Sequence, residues 1–205
     1  MTQKNTPDAK NRILSAAVRI FAEKSFEGSR IDEIAQEANV PKSLIYYHFK
    51  SKDEILEVLT QGFIDEYRSL ILNPVNKVEG PEGLVKRVKT QYAEFGFKNA
   101  DLVRVMFIDS LKKTKKEPIL FRVVETLVHT ENELSESTDA IPHFNQEHLV
   151  AEFFTSLIPL YSFICFSDAW VDYFKTDKET LGKHFLKLVV EAHAEYHKSH
   201  SGDKK

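Results

Sequence analysis

The chain has 205 residues, of which 42% are hydrophobic and 29% are charged, a balance that is typical of globular proteins and excludes a largely disordered chain. Its formal net charge is −3, so the chain as a whole lacks the basic excess that is typical of many nucleic-acid-binding domains. The only cysteine, Cys165, excludes an intrachain disulfide and a zinc site made of cysteines.

Neither a signal peptide nor a membrane span is predicted. The residues from Met1 to Lys10 are polar, which a signal peptide would not be. The longest apolar run, from about Phe153 to Phe166, is interrupted by polar residues and by Pro159, and it is predicted to be too short to span a membrane. A single cysteine also favours a reducing compartment, so we expect a cytoplasmic protein that is not bound to membranes.

The first predicted helix opens near Pro7 and packs through apolar residues at helical spacing. These residues are Ile13, Ala17, Ile20 and Phe21.

Two short helices joined by a tight turn follow between Ser29 and Asp53. Ser29 is predicted to cap the first of them, because its hydroxyl can accept from an unpaired backbone N–H. Asn39 suits the left-handed conformation that ends this helix, and Pro41 suits the first position of the next.

The second of these short helices combines a buried side, Leu44, Ile45 and Phe49, with an outer face of hydrogen-bond donors and flat rings. The outer residues are Lys42, Ser43, Tyr46, Tyr47 and His48. Such side chains on a short protruding helix suit the DNA major groove, where base edges and phosphates accept hydrogen bonds. We therefore predict a helix-turn-helix whose second helix contacts DNA. Ser29, Arg30 and Lys52 are predicted to contact phosphates.

The N-terminal residues resemble the DNA-binding domain of the tetracycline-repressor (TetR) family of bacterial transcription regulators. The resemblance is carried by the segments ILSAA (13–17), IFA (20–22), IA (34–35), ANV (38–40) and IYYHFKSKD (45–53). The chain departs from the family pattern at Ser25 and Asn39, where glycine is usual, and at Leu44, where threonine is frequent. The resemblance implies a helix-turn-helix DNA-binding domain over residues 1–53 and a helical ligand-binding and dimerisation domain over residues 54–205.

The rest of the chain is predicted to be helical, because apolar residues recur at helical spacing and alternation typical of strands is rare. Ser51 is predicted to cap a long helix from Lys52 to about Leu72, with Glu54 at capping-box spacing. Further helices are predicted from Glu82, from Asp101, from Pro118, from Gln146 to Tyr173 with a kink at Pro159, and from about Asp177. The basic run from Lys112 to Lys116 is predicted to be a solvated loop.

The last two predicted helices are apolar on two faces each, and a helix of that kind needs two partners. One face can pack on its own domain, and a second copy of the chain would cover the other in a four-helix interface. The resemblance implies the same homodimer. The alternative is that both helices are buried within their own chain.

The larger domain is rich in aromatic residues, and pockets between helices are often lined in this way. We predict an effector pocket lined by Tyr92, Met106, Phe107, Phe121, Phe154, Ile158 and Tyr161. A neutral or amphipathic apolar ligand fits this set better than a phosphorylated one. The alternative is that these residues only fill the core.

Catalytic and metal motifs are missing from the sequence: there is no phosphate-binding glycine-rich loop, nucleophile elbow or HExxH. His193, His197 and His200 follow one another at i, i+4 and i+7, but only Glu195 or a partner chain could complete a metal site there. We expect a solvated helix end at these histidines, no cofactor and no metal.

The sequence thus predicts a dimeric DNA-binding regulator, most simply a repressor that a small, largely apolar effector releases from a palindromic operator. Two other classes stay open. One is a small-molecule-binding protein without operator activity, in which the second short helix is only structural. The other is an enzyme built in the aromatic region, which lacks any pair of nucleophile and base.

Overall fold

The computed structural model describes residues 8–73, 93–112, 116–134 and 146–201. Every regular element in these ranges is a helix, which confirms the predicted all-α fold. Numbered over the described ranges, the helices are α1 (Ala9–Gly28), α2 (Ile31–Glu37), α3 (Lys42–His48), α4 (Lys52–Leu72), α5 (Ala93–Lys98), α6 (Ala100–Ser110), α7 (Ile119–Leu134), α8 (Gln146–Phe174) and α9 (Lys178–Ser201). The start of the helix predicted from Glu82 lies outside the described residues.

Helix α1 buries one apolar face, and its backbone departs from helical geometry close to its end. Its buried residues are Ile13, Ala16, Ala17, Ile20 and Phe21. Ser25 has φ 64° and ψ 164°, a combination that glycine adopts readily and other residues adopt only under strain. The Ser25 hydroxyl oxygen accepts a 3.3 Å hydrogen bond from the Gly28 N–H. The strained position is the one where the family pattern usually has glycine.

The turn between α2 and α3 follows its local sequence signals. Asn39 has φ 51°, which confirms the predicted left-handed residue. Pro41 is the N-cap of α3, with φ −66°, one residue before the predicted position. Ser29 does not cap α2, because α2 begins at Ile31 with Arg30 as its N-cap. The Ser29 hydroxyl is buried and donates a 2.6 Å hydrogen bond to the Phe26 carbonyl oxygen, so it closes α1 instead.

Helix α4 connects the three N-terminal helices to the rest of the molecule. The predicted cap is confirmed, since the Ser51 hydroxyl oxygen accepts from the Glu54 N–H at 3.1 Å. Further along, the Phe63 ring lies 4.8 Å from the ring of Phe95 in α5 and 6.4 Å from the ring of Tyr161 in α8, between centroids. The predicted domain boundary, between residues 53 and 54, falls in the first turn of this helix.

Two ion pairs join α4 to α7 across the outer side of the bundle. The Arg122 guanidinium donates to both carboxylate oxygens of Glu57 at 2.8 Å each, a bidentate geometry that is stronger than a single contact. The Arg68 guanidinium lies 2.8 Å from Glu133. These contacts link α4 to α7 at the surface of the bundle.

Helix α8 changes its geometry in the middle. It is α-helical over Gln146–Ala151, forms a π-helical turn over Glu152–Leu157 and is α-helical again over Ile158–Phe174. Pro159 lies two residues after the last residue of the π-turn, Leu157. A proline has no N–H to donate, and its ring crowds the carbonyl four residues earlier, so the π-turn is the irregularity that accommodates the predicted break.

The length and composition of α8 would by themselves allow it to cross a membrane. The apolar run from Phe153 to Phe166 that was predicted to be too short lies within this longer helix, which has 29 residues in total. A core helix of a soluble protein passes the same test. Leu157, Leu160 and Ile164 of α8 are buried in the helical core.

Candidate nucleic-acid interface

The short helix α3 has one buried face and one strongly exposed face. Ile45 and Phe49 are buried in the core formed with α1 and α2. Tyr46 and Tyr47, which lie next to Ile45 in the sequence, are 53% and 81% exposed. An exposed tyrosine pair on a helix anchored from behind places two rigid rings and two hydroxyl groups at the surface of the molecule.

The polar residues of α3 surround this pair. Ser43 is exposed and His48 is half-buried, and the His48 ring meets the Tyr47 ring edge-on at 5.1 Å between centroids. The Lys42 ammonium lies 2.8 Å from the Asp32 carboxylate of α2. This hydrogen bond raises the pKa of Lys42, so the side chain remains a cation at neutral pH.

Arg30 is exposed at the start of α2, and its side chain is not engaged by the cap. Its backbone N–H donates a 2.9 Å hydrogen bond to the Glu33 carboxylate, which also accepts from the Lys24 ammonium at 2.7 Å. Arg30 is thus the N-cap residue of α2, at a helix end where backbone N–H groups favour anions.

Two of the residues predicted to contact phosphates have polar groups that bond to carbonyl oxygens of the protein itself. Ser29 is buried. The Lys52 ammonium donates to the carbonyl oxygens of Phe26 at 2.5 Å and Ser29 at 3.0 Å, so it satisfies the last carbonyl groups of α1. We therefore exclude Ser29 and Lys52 from the contact set, because their polar groups are committed to the end of α1.

A charged cluster that the sequence did not reveal surrounds the Phe26 ring. The Lys112 ammonium lies 5.4 Å from the ring centre, 2.6 Å from the buried carboxylate of Asp109 and in contact with Glu27. The hydrogen bond from Lys112 lowers the pKa of Glu27. Lys112 was predicted to belong to a solvated loop, but it ties the end of α6 to the end of α1.

The predicted effector residues that the structure describes range from fully buried to strongly exposed. Tyr92 lies outside the described residues. Met106 and Tyr161 are buried in the core, Phe107 and Ile158 are half-buried, and Phe121 and Phe154 are 51% and 63% exposed. Phe121 and Phe154 both meet the Phe153 ring, at 5.4 Å and 5.0 Å between centroids.

A groove of about 610 Å³ opens elsewhere, between α1, α4, α5 and α6. Its walls include Leu14, Val18 and Phe63 together with Lys98 and Asp101, and none of the predicted effector residues contributes to it. Tyr161 carries the one unusual polar group among the effector residues. Its hydroxyl is buried and has no hydrogen-bond partner among the described residues, and burial raises its pKa.

Comparison with known sequences identifies the N-terminal region. The family model described as "Bacterial regulatory proteins, tetR family" matches residues 13–59. The biofilm operon icaADBC HTH-type negative transcriptional regulator IcaR of Staphylococcus aureus (strain Newman) is 35% identical over 68 residues, 33% of this chain and 37% of the relative. The uncharacterized HTH-type transcriptional regulator YerO of Bacillus subtilis (strain 168) is 32% identical over 91 residues, 43% of this chain and 32% of the relative. The chain thus aligns with about a third of the length of these relatives.

Comparison with solved structures extends the likeness of fold over nearly the whole chain. A transcriptional regulator (TerR/AcrR family) from Aquifex aeolicus VF5 gives a TM-score of 0.60 at 24% identity, covering 93% of this chain and 98% of that one. The transcriptional regulator FadR from Bacillus subtilis in complex with stearoyl-CoA gives 0.62 at 19% identity, covering 89% and 98%. At these identities the likeness shows the fold.

Proposed function

We propose that this chain, which belongs to the TetR family of bacterial regulatory proteins through its N-terminal domain, is a transcriptional repressor that binds a palindromic operator as a homodimer and is released by a small, largely apolar effector. The observation that carries the proposal is the exposed outer face of α3, where Tyr47 is 81% exposed on a helix whose other face is buried. The relative IcaR is described as a negative regulator, which supports repression.

In the proposed complex α3 lies in the major groove. Lys42, Ser43, Tyr46, Tyr47 and His48 would supply the contacts to bases and phosphates, because donors and rings at a protruding helix match the groove's acceptors and thymine methyl groups. Arg30 would reach a phosphate beside the start of α2. The Lys42–Asp32 ion pair would open or share its cation with a phosphate when DNA binds.

The proposed homodimer forms through α8 and α9, and it is supported by the apolar side chains that these helices expose. The exposed residues are Val150, Phe154, Phe166, Trp170, Tyr173, Phe174 and Leu188. An exposed apolar surface of this extent is typical of an interface. The Trp170 and Phe174 rings lie 4.4 Å apart between centroids, which gives the surface a rigid aromatic centre.

The proposed effector binds inside the larger domain, where Met106 and Tyr161 are enclosed. The Tyr161 hydroxyl, which has no partner within the described ranges, would donate to a polar atom of the ligand, because a buried hydroxyl without a partner is costly. A structural neighbour is described in complex with stearoyl-CoA, which supports a ligand with a long apolar part. The effector would act by binding better to the conformation that fits the operator less well.

Binding of the purified protein to fragments of the DNA upstream of its own gene, at several salt concentrations, tests this proposal. We expect sequence-selective binding that weakens steeply with salt. Tyr47→Ala should weaken it by about tenfold or more. Leu111→Ala is the matched control, because Leu111 is also an exposed apolar residue but lies at the end of α6.

The competing reading is a small-molecule-binding protein that does not act on an operator. It predicts that Tyr46→Ala and Lys42→Ala leave DNA binding unchanged, and that the wild-type protein binds all fragments weakly and alike. These two results together would refute the proposal that the protein is a repressor. The curated relatives are regulators rather than enzymes, and we propose no catalytic activity and a cytoplasmic location.

A further inference from the structure

A buried carboxylate occupies the first residue of the π-turn in α8. Glu152 is 2% exposed, and one of its carboxylate oxygens faces two imidazole rings. The Nε2 atom of His148 lies 3.6 Å from this oxygen, and the Nε2 atom of His193, from α9, lies 3.4 Å from it. A carboxylate that is almost fully buried needs compensating charge close by.

A second carboxylate reaches the same place from α7. The ligand atoms of Glu131, His148 and Glu152 all lie within 4.8 Å of one another. An ion of the zinc class binds nitrogen and oxygen at about 2.0–2.2 Å, so small side-chain rotations would bring all three onto one ion. His148 and Glu152 are four residues apart, a spacing that places both on one side of the helix.

His193 is held with its Nε2 atom directed at this group. The Thr155 hydroxyl donates its single proton to the Ala151 carbonyl oxygen at 2.7 Å, so its oxygen accepts from the Nδ1 atom of His193 at 2.9 Å. A proton on Nδ1 leaves the lone pair of a neutral imidazole on Nε2, the atom that faces Glu152. An outer oxygen that fixes the tautomer and the ring in this way is a regular feature of histidines that bind metals.

The charge of the group also suits a divalent cation. Two carboxylates carry two negative charges into a site closed by three helices, and one divalent ion neutralises both while the two imidazoles stay neutral. Nitrogen and oxygen ligands in this ratio suit zinc and its neighbours in the first transition row. Glu152 is also the first residue of the π-turn, and such turns inside α-helices are frequent at functional sites.

We propose that Glu131, His148, Glu152 and His193 bind one divalent transition-metal ion of the zinc class. The site joins α7, α8 and α9, and it stands independently of the proposed operator and effector. Local spacing in the sequence predicted no metal motif, and His193, which was expected at a solvated helix end, is in fact 3% exposed. The four residues lie on three different helices, so no single local sequence motif contains all of them.

The test is titration of the chelator-treated, untagged full-length protein with Zn²⁺ in a calorimeter, repeated with Co²⁺ to record its d–d absorption bands. We expect one ion per chain and Co²⁺ bands typical of nitrogen and oxygen ligands in a low-symmetry site. Glu152→Gln and His148→Gln should each weaken binding by more than about a hundredfold, which exceeds the roughly 10- to 100-fold loss expected for an outer-sphere change.

Matched controls separate this site from other histidines and carboxylates. Glu125→Gln changes an exposed carboxylate of α7, and His184→Gln changes an exposed imidazole of α9; both should leave Zn²⁺ binding unchanged. A variant with both His197 and His200 replaced by glutamine should also keep the site. Circular dichroism checks that each variant is folded.

Two outcomes would overturn the proposal. The first is no saturable Zn²⁺ or Co²⁺ binding by the folded wild-type protein, which would make the group a buried network of ion pairs only. The second is binding that survives in Glu152→Gln and His148→Gln but disappears when His197 and His200 are replaced. Metal would then bind at the C-terminal histidines instead.

Discussion

The ammonium of Lys52 lies 4.5 Å above the centre of the Phe26 ring and donates a 2.5 Å hydrogen bond to the Phe26 carbonyl oxygen. The first residue of α4 thereby closes the end of α1, where the final carbonyl groups have no partners within the helix. A cation at this end also interacts favourably with the helix dipole. Lys52 thus has a structural role in joining the two helices.

Replacing Lys52 by methionine should lower the free energy of unfolding by about 2 kcal/mol, because hydrogen bonds from a charged donor to α1 are lost. Urea denaturation measures the change. Lys50→Met is the control, since Lys50 is exposed and its side chain should matter by less than about 0.5 kcal/mol. The salt dependence of DNA binding should keep its slope in Lys52→Met; a slope reduced by about one would show that Lys52 binds a phosphate after all.

Replacing Ser25 by glycine should stabilise the protein by about 1 kcal/mol. The φ and ψ angles at position 25 are strained for serine, and glycine would relieve this strain. The relief should exceed two losses: the long hydrogen bond between Ser25 and Gly28, and the larger conformational entropy that glycine gives the unfolded chain. Ser15→Gly, at an exposed position inside α1, is the control and should destabilise. Thermal or urea unfolding of both variants measures the two changes in stability. Equal destabilisation by the two changes would contradict the strain at Ser25.

Replacing Asp32 by asparagine should strengthen operator binding by about three- to tenfold at low salt. The change frees the Lys42 ammonium from its carboxylate partner and removes a negative charge near the DNA phosphates. Fluorescence anisotropy with a labelled operator fragment measures the affinity, and the gain should shrink as salt is added. Asp101→Asn, at an exposed position of α6, should have no such effect. Weaker binding by Asp32→Asn would mean that the ion pair orients Lys42 for DNA.

Replacing Trp170 by aspartate should raise the dissociation constant of the homodimer by about a hundredfold or more, because a charge would be buried at the aromatic centre of the proposed interface. Light scattering after size-exclusion chromatography gives the mass at several concentrations. Leu111→Asp introduces the same charge at an exposed apolar residue that directly follows α6, and it should leave the mass unchanged. A dimer that persists in Trp170→Asp at low concentration would place the interface elsewhere.

The helix-turn-helix was predictable because its signals are local. Asn39 and Pro41 each act on the backbone beside them, and the buried and exposed sides of α3 follow from helical spacing alone. The cap of α2 was misplaced by one residue, since a serine hydroxyl can also close the preceding helix. Lys52 was predicted to contact a phosphate, whereas in the structure its ammonium contacts carbonyl oxygens 23 to 26 residues earlier, at a distance that sequence spacing does not reveal.

The larger domain was less predictable for a related reason. Periodicity predicted that Phe154, Phe121 and Tyr161 lie on helices, but whether a helical aromatic faces the core, a ligand or a second chain depends on how the helices are rotated. Tyr161 is enclosed, whereas the other two are exposed. The cluster of Glu131, His148, Glu152 and His193 forms only when α7, α8 and α9 pack together. No single segment of the sequence therefore indicates it.

The π-turn in α8 also determines which way the side chains in the second half of this helix point. A wide turn accommodates one residue more than a regular turn, and one residue corresponds to about 100° around a helix. The segment before the turn can therefore direct His148 inward, while the segment after it is free to direct Ile164 inward and Trp170 outward. Deleting one residue from this turn would keep α8 helical but rotate its second half by more than a quarter of a circle, turning the aromatic surface away from a second chain without changing a single side chain of that surface.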